Sequence, residues 1–210
     1  MTFRVEIAGS IAVGKSTLCE GLRDAGFEVL SERLEENNFL TRSYNDQAAR
    51  GFDVMMAFVL SKAAAISTYE GKARCIVTDY ALISEYAYND QHLKGVSKAG
   101  HKLCQQTIDL KREQLGEPHI LIVLECPVAE QLKRIKERGR DFEQGITAAY
   151  LRKLNESVKQ YVERETNPNT RVIRIDTSKQ DLRNPQTIAG IASIIDEVCR
   201  KKRQPRSPAP

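Results

Sequence analysis

The sequence lacks a hydrophobic run long enough to cross a membrane. The apolar runs of the sequence, such as Ile120 to Leu124, fall far short of the roughly 20 residues that a membrane-spanning helix needs. The chain enters a strand-like segment already at Phe3, which leaves no room for a signal peptide. We therefore expect a protein that has no membrane partner and carries no secretion signal.

Closely spaced cysteines are also absent. The five cysteines stand at positions 19, 75, 104, 126 and 199, and no two of them form a C-x-x-C pair. An odd and scattered set is typical of reduced thiols that pack inside a protein, and not of a disulfide framework. The cysteines therefore predict a cytoplasmic protein.

A strong excess of charge of one sign is missing as well. The 210 residues include 32 Lys and Arg against 28 Asp and Glu, a net charge of +4 that is scattered along the chain. This small excess does not indicate a nucleic-acid partner. Hydrophobic residues at 41% and charged residues at 29% are typical of a soluble globular domain. We assign one domain to residues 1–201 and interpret the basic, proline-containing residues 202–210 as a flexible tail.

The most informative stretch is Gly9 to Thr17, which reads GSIAVGKST and fits the pattern G-x-x-x-x-G-K-S/T. A strand-like segment precedes it and helix-like apolar spacing follows it, so a plain glycine turn is the weaker interpretation. The backbone N–H groups of such a loop, together with the helix N-terminus, bind phosphates. Lys15 can reach the outer phosphates, and the Ser16 hydroxyl can join Mg²⁺ coordination. The predicted phosphate-binding residues are Gly9, Ser10, Ile11, Ala12, Val13, Gly14, Lys15, Ser16 and Thr17.

Strand-like and helix-like segments alternate, which predicts an α/β fold with a parallel sheet covered by helices on both faces. With the phosphate loop, this order indicates a three-layer phosphate-loop NTPase fold. The predicted strands are Phe3–Ala8, Phe27–Ser31, Arg74–Asp79, His119–Glu125 and Val172–Asp176. After the loop helix, the predicted helices are Glu36–Ala48, Phe52–Glu70, Ala81–Gly95, Lys98–Leu115, Val128–Arg138, Ala148–Arg164 and Pro185–Lys201.

Three acidic residues stand at the ends of predicted strands, where ligands bind in open parallel sheets. Glu32 follows the second strand and can accept a proton from an attacking hydroxyl group; a solvent-facing glutamate is the alternative. Asp79 ends the third strand, where phosphate-loop enzymes carry a carboxylate linked to magnesium; a cap of the next helix is the alternative. Asp176 ends the fifth strand.

A cluster of arginines follows the fourth predicted strand. Arg134 and Arg138 share one helix face, and Gly139 ends the helix so that Arg140 can turn inward. Guanidinium groups suit the charge that spreads over a transferring phosphoryl group. We interpret residues 134–143 as an arginine-rich mobile lid, with a solvated basic face as the alternative.

These features together resemble the deoxynucleoside kinases, which phosphorylate the 5′-hydroxyl of deoxynucleosides. Gly9–Thr17 matches the phosphate loop of that family, and residues 32–40, ERLEENNFL, are similar to its Glu-Pro-x-x-x-Asn-Pro-x-Leu segment. Residues 134–146 and 150–154 follow its arginine lid and the next helix. The resemblance covers the chain from about Phe3 to Lys201, and it implies a homodimer.

On the donor side, the resemblance implies ATP as the phosphoryl donor and Mg²⁺ as cofactor. Lys15 and Ser16 would hold the phosphates and the magnesium ion, and Asp79 would be a second, catalytic magnesium ligand. Asp176 would begin the loop beneath the adenine of ATP. The arginines that would surround the transferring phosphoryl group are Arg134, Arg138, which would be catalytic, and Arg140.

On the acceptor side, the resemblance implies a nucleoside substrate with Glu32 as the general base on its 5′-hydroxyl. Tyr44 would contact the sugar 3′-hydroxyl, with Glu143 of the lid as its partner. Lys62 and Glu85 align with the Arg and Asp that lie beside the nucleobase in the family.

Among the departures from the family pattern, which include Arg33 and Asn38 in place of its two prolines, two remove a charged or polar group from the acceptor half. The family carries an arginine after the carboxylate at the end of its third strand, where this chain has Tyr80, which brings no positive charge. The glutamine that pairs with the nucleobase edge is replaced by Met55, which has no donor and only a weak acceptor. The donor half of the site therefore keeps the family's residues, whereas the acceptor half carries different side chains.

Two alternatives to a nucleoside kinase follow from these departures. One is a kinase of nucleoside monophosphates or of another small molecule, because the thymidylate kinases share the fold. The other is a nucleotide-binding regulatory protein with impaired catalysis. Tyr80 and Met55 favour the second alternative, whereas Glu32, Asp79 and the arginine lid argue against it.

Overall fold

The computed structural model of the chain describes residues 2–32, 39, 47–140, 143 and 145–201. Within these residues lie five strands, β1 (Phe3–Ala8), β2 (Glu28–Leu30), β3 (Cys75–Thr78), β4 (Ile120–Glu125) and β5 (Arg171–Asp176). The helices of the same residues are α1 (Lys15–Asp24), α2 (Gln47–Ser67), α3 (Leu82–Leu93), α4 (Lys98–Leu115), α5 (Val128–Arg138), α6 (Ala148–Glu165) and α7 (Pro185–Lys201). Tyr44 and most of the predicted helix Glu36–Ala48 lie outside the described residues.

All five strands run parallel in one sheet, in the order β2-β3-β1-β4-β5. In the central strand β1, Glu6 lies opposite Thr78 of β3 and Leu121 of β4. Because parallel strands end at the same edge of a sheet, the segments that follow β1, β2 and β3 meet there. The predicted five-stranded parallel sheet is confirmed.

The sheet separates two hydrophobic cores. All six residues of β1 and all four of β3 are buried, because parallel strands covered on both faces expose neither side. Val5 and Ile7 of β1 pack with Leu18 of α1 and Ile195 of α7. The members of the other core include Ala8, Leu121, Val123, Met55, Ile108 and Leu154, from β1, β4, α2, α4 and α6. Each fully buried Leu, Ile or Val contributes about 1.5–3 kcal/mol to stability, so both faces hold the sheet in place.

A buried ion pair in β1 fixes the start of helix α3. The Nε atom of Arg4 lies 2.9 Å from Oε1 of Glu6, and the backbone N–H of Leu82 donates to Oε2 of Glu6 at 3.1 Å. Burial raises the pKa of Glu6, although the charge of Arg4 opposes this. A buried carboxylate needs such partners. The contact to Leu82 therefore positions the first turn of α3.

The bounds of several predicted elements are reproduced, whereas others differ. Strand β2 is shorter than predicted because it lies at the edge of the sheet and pairs only with β3, over three residues. Helix α2 begins at Gln47, before the predicted start at Phe52, and continues through Gly51, where a Cβ would lie 3.4 Å from a methyl carbon of Leu93. None of the helices in the described part of the chain combines the length and apolar character that crossing a membrane requires.

Candidate active site

The phosphate loop has a backbone that only glycine can adopt at two positions. Gly9 has a φ of 150° and Gly14 a φ of 103°, both in the positive region that other residues avoid. A Cβ on Gly9 would lie 2.7 Å from Val13 Cγ2 and 2.9 Å from the carbonyl oxygen of Leu124. Ala12, at a φ of 60°, carries further backbone strain. The glycines of the motif are therefore required by the loop itself.

Most of the loop faces the cleft, but two of its residues do not. Ser10 and Val13 are each 2% exposed, and Val13 packs into the core between the sheet and helices α1 and α7. The loop residues that line the cleft are Gly9, Ile11, Ala12, Gly14, Lys15, Ser16 and Thr17.

A buried polar network supports the loop from behind. Gln131 of α5 is fully buried, and its amide donates to Ser10 Oγ at 2.8 Å and to the Ile11 carbonyl at 2.6 Å. Asn155 of α6 donates to Gln131 Oε1 at 2.8 Å and also accepts from Ser10 Oγ. Sequence reasoning missed this network. The available signal was a glutamine one turn before the buried Ile135, within the apolar stripe of α5.

Lys15 lies across the mouth of the loop. Its ammonium donates to the carbonyl oxygens of Gly9 at 3.2 Å and Ser10 at 2.8 Å. Burial lowers its pKa, while the nearby carboxylates of Glu32 and Asp79 oppose the shift. The two carboxylates thus do not fully offset the cost of desolvating the charged ammonium. An approaching anion, such as a phosphate group, would therefore stabilise its charged form.

Asp79 and Ser16 form a donor set that fits a magnesium ion. Ser16 Oγ donates to Asp79 Oδ2 at 3.0 Å, whereas the buried Oδ1 atom has no hydrogen-bond partner. Burial raises the pKa of Asp79, although Lys15 opposes this. A carboxylate oxygen and a hydroxyl beside a phosphate site are the ligands that Mg²⁺ prefers. Helix α3 begins after Ala81, so the alternative interpretation of Asp79 as its cap is wrong.

On the acceptor side, Lys62 contacts two carboxylates at once. Its Nζ atom lies 2.6 Å from Oε1 of Glu32 and 2.7 Å from Oε1 of Glu85. Burial on its own would raise the pKa of Glu32, but Lys62 and Lys15 outweigh it and hold that pKa below its usual range. Glu32 is therefore an ionised, paired carboxylate rather than a solvent-facing one. Glu85 is almost fully buried, and burial raises its pKa.

Met55 and Tyr80, which depart from the family pattern, line the same cleft as these carboxylates. Met55 is 2% exposed and lines the cleft. Tyr80 also lines the cleft, but its hydroxyl donates to the backbone carbonyl of Lys62 at 3.1 Å. The polar group of Tyr80 is thus already engaged inside the protein.

The lid arginines are held by partners of two kinds. Arg134 donates to the Ala12 carbonyl at 3.3 Å and to both the side chain and the carbonyl of Thr177, at 3.0 and 2.9 Å. Arg138 makes a two-pronged contact with Glu143, with both N–O distances at 2.5 Å, and Arg140 lies 3.8 Å from the same carboxylate. Arg134 therefore ties the phosphate loop to the segment after β5, whereas the other two surround Glu143.

The side chain of Asp176 does not line the cleft. Its Oδ1 atom accepts hydrogen bonds from the N–H and the Oγ of Ser178, at 3.0 and 2.6 Å. These two bonds lower the pKa of Asp176, and its carboxylate shapes the loop after β5. The wall of the cleft is instead formed by the residues that follow it, which are Thr177, Ser178, Lys179, Asp181, Leu182 and Arg183.

One cleft connects the phosphate loop, the lid arginines and the acceptor-side carboxylates. Its volume of about 1590 Å³ extends from the phosphate loop to Glu85 and Tyr88 of α3. A usual pocket for one small ligand measures about 300–1000 Å³, so two ligands can be held side by side. The cleft therefore has room for two substrates, with the phosphate loop at one end and the carboxylates at the other.

Similarity to known proteins identifies the family of enzymes to which a chain with this cleft belongs. The profile of the family "Deoxynucleoside kinase" matches residues 5–200. The chain belongs to the deoxynucleoside kinase family. The predicted resemblance, the phosphate-loop NTPase fold and the predicted function are thereby confirmed: this deoxynucleoside kinase is a nucleotide-binding enzyme that phosphorylates nucleosides.

The similar proteins are nucleoside kinases of several specificities. The deoxyguanosine kinase of Bacillus subtilis is 24% identical over 92% of this chain and 96% of its own length. The deoxyadenosine/deoxycytidine kinase of the same bacterium is 24% identical over 92% of this chain and 90% of its own. Among solved structures, the deoxyadenosine kinase from M. mycoides with bound dCTP superposes with a TM-score of 0.77, at 20% identity, and covers 93% of this chain and 100% of that one.

Proposed function

We propose that this deoxynucleoside kinase transfers the γ-phosphoryl group of ATP, with Mg²⁺, to the 5′-hydroxyl of a deoxynucleoside. The observation that carries the proposal is the single cleft that joins the Lys15–Ser16–Asp79 end to the Glu32–Lys62–Glu85 end. Deoxyguanosine and deoxyadenosine are the first candidate acceptors, because similar enzymes are named for them.

The donor half of the reaction rests on charge. The loop N–H groups and Lys15 bind the outer phosphates of ATP, and Ser16 with Asp79 would hold Mg²⁺. When bound, Mg²⁺ neutralises charge on the phosphate oxygens. Arg138 and Arg140 stabilise the charge that spreads over the phosphoryl group during transfer.

In the acceptor half, Glu32 receives a proton. The 5′-oxygen of the nucleoside forms a bond to the γ-phosphorus as the bond from that phosphorus to the leaving ADP oxygen breaks. The hydroxyl proton passes to the free oxygen of the Glu32 carboxylate, whose other oxygen contacts Lys62. The products are ADP and a nucleoside 5′-monophosphate. Tyr44, for which a contact to the 3′-hydroxyl is predicted, lies outside the described residues.

A thermal-shift screen identifies the acceptor. We expect the melting temperature to rise with deoxyguanosine or deoxyadenosine in the presence of Mg-ADP, because a ligand at 100 times its Kd stabilises the folded state by about 2.7 kcal/mol. The matched arm contains the corresponding nucleoside monophosphates. A rise with monophosphates and none with nucleosides would instead identify a monophosphate kinase.

Replacing Arg138 with alanine is expected to reduce kcat by about 10²–10³-fold, with a smaller effect on the affinity for ATP. The reason is that charge on the phosphoryl group is most exposed during transfer, so a guanidinium contributes more there than in the ground state. Steady-state kinetics with varied ATP measure both quantities. Lys136→Ala, which removes an exposed charge from the same helix, is the matched control. Weaker ATP binding at an unchanged kcat would contradict this role.

We also propose that the enzyme is a homodimer in the cytoplasm. Leu103 and Leu110 of α4 are about half exposed, at 51% and 49%, and the adjacent helix α2 exposes Leu60; apolar surface of this kind favours an interface. All five cysteines are buried and none forms a disulfide, which supports a reducing compartment. The division into a kinase domain over residues 1–201 and a basic tail over 202–210 stays a prediction.

A further inference from the structure

Lys62 is the one cation that directly contacts two carboxylates of the acceptor half in the described part of the chain. Glu32 comes from the end of β2 and Glu85 from the first turn of α3, so Lys62 of α2 joins three elements. The lysine itself is only 7% exposed. One buried ammonium group therefore pairs with two carboxylates. Its Nζ atom lies 2.6 Å from Oε1 of Glu32 and 2.7 Å from Oε1 of Glu85.

Two aromatic rings lie beside the ammonium group of Lys62. Its Nζ atom lies 5.1 Å from the ring centre of Phe58 and 5.6 Å from that of Tyr80, both within the range of cation–π attraction. The Tyr80 hydroxyl also donates to the Lys62 carbonyl at 3.1 Å. Tyr80 thus contacts Lys62 through its ring and through its hydroxyl.

On the basis of the proposed function, we propose that Lys62 is the positioning residue of the catalytic base Glu32, and that Tyr80 supports it. Tyr80 stands where the family pattern has an arginine, and Lys62 supplies the positive charge that the tyrosine does not. By holding one carboxylate oxygen of Glu32, Lys62 leaves the other oxygen for the nucleoside hydroxyl. Because Lys62 also holds Glu85, an acceptor that contacts Glu85 alters the charge available to Glu32.

The other charges around Glu32 are not sufficient to replace Lys62. Lys15 of the phosphate loop and Arg140 of the lid favour the ionised form of Glu32, whereas the carboxylates of Asp79 and Glu85 disfavour it. Burial disfavours it as well. Without Lys62, burial and the carboxylates of Asp79 and Glu85 would favour the protonated form of Glu32, and only the more distant Lys15 and Arg140 among these groups would oppose them. Loss of Lys62 therefore promotes protonation of Glu32, and loss of Glu85 does the opposite.

Titration of the Glu32 carboxyl by ¹³C NMR tests the inference without relying on activity. The protein is labelled with ¹³C-glutamate, studied without Mg²⁺, and the Glu32 signal is assigned by its absence in Glu32→Gln. We expect the Glu32 midpoint to move to higher pH in Lys62→Met, to stay near the wild-type value in Lys62→Arg, and to move to lower pH in Glu85→Gln. Lys94→Met, which removes an exposed lysine just after α3, is expected to leave it unchanged.

The corresponding kinetic measurement is the pH dependence of kcat/KM, specifically its fall at acidic pH (the acid limb). We expect this limb to follow the NMR midpoint in each variant, which a residue with only a structural role would not produce. If Lys62→Met fails to fold, Glu85→Gln still decides the matter by the direction of its shift. A Glu32 midpoint that stays at the wild-type value in Glu85→Gln, or in a folded Lys62→Met, would overturn the inference. Absence of nucleoside phosphorylation by the wild-type enzyme would defeat the proposed function instead, while the NMR result would still decide whether Lys62 controls Glu32.

Discussion

Replacing Lys15 with alanine is expected to reduce phosphoryl transfer by about 10³-fold or more while the protein remains folded. The ammonium of Lys15 lies across the loop mouth, where it donates to two backbone carbonyls, Gly9 O and Ser10 O, at 3.2 and 2.8 Å. In the reaction it neutralises charge on the outer phosphates of ATP, which a methyl group cannot do.

The stability of the same variant follows from the environment of the lysine. Burial lowers the pKa of Lys15, so the fold gains little from this charge and its removal is expected to cost little stability. Turnover and the melting temperature are measured together on the same preparation. Lys153→Ala, an exposed lysine of α6, is the control. Turnover near the wild-type value in Lys15→Ala would refute the role of the phosphate loop.

The second large effect is expected for Glu32→Gln, with a fall in kcat of about 10²–10⁴-fold. Glutamine keeps the size of the side chain and an oxygen for Lys62, but it cannot accept the proton of the nucleoside hydroxyl. Nucleoside affinity is expected to change far less, because the geometry of the pocket is retained. Kinetics with varied nucleoside separate the two effects, and Glu28→Gln, an exposed change on strand β2 just before Glu32, is the control. A loss of only a fewfold would mean that the proton passes to another group.

The pH dependence of the wild-type enzyme follows from the same carboxylate. Burial alone would raise the pKa of Glu32, but Lys62 and Lys15 hold it below its usual range, so the base stays ionised through neutral pH. Because the base acts only when it is deprotonated, kcat/KM is expected to fall as the pH drops through this lowered pKa. An acid limb near neutral pH would contradict the pairing of Glu32 with Lys62.

Signals that are local in the chain were sufficient to predict most of the fold. The phosphate loop is nine consecutive residues, and the helices Lys98–Leu115, Val128–Arg138 and Pro185–Lys201 have the predicted bounds. The order of the elements, together with the short apolar strands, indicated a parallel sheet. These features depend on neighbouring residues, which is why the sequence reveals them.

The contacts that assemble the site depend on residues far apart in the chain. Lys62 and Glu32 are separated by 30 positions, and Gln131 contacts Ser10 across 121 positions. No periodic pattern indicates that Lys62 contacts both Glu32 and Glu85, or that the Asp176 side chain binds Ser178 rather than lining the cleft. For Tyr80 the sequence showed only the loss of a charge, whereas the structure shows its contact with Lys62.

Product formation tests the central claim most directly. Wild-type protein is incubated with Mg-ATP and each of the four common deoxynucleosides, and the products are separated by ion-pair chromatography. We predict equal amounts of ADP and a nucleoside 5′-monophosphate with at least one of the four, and loss of this product in Glu32→Gln. Binding of ATP without a monophosphate product from any of them, with Glu32→Gln indistinguishable from the wild type, would contradict the assignment of Glu32 as the base of a deoxynucleoside kinase reaction.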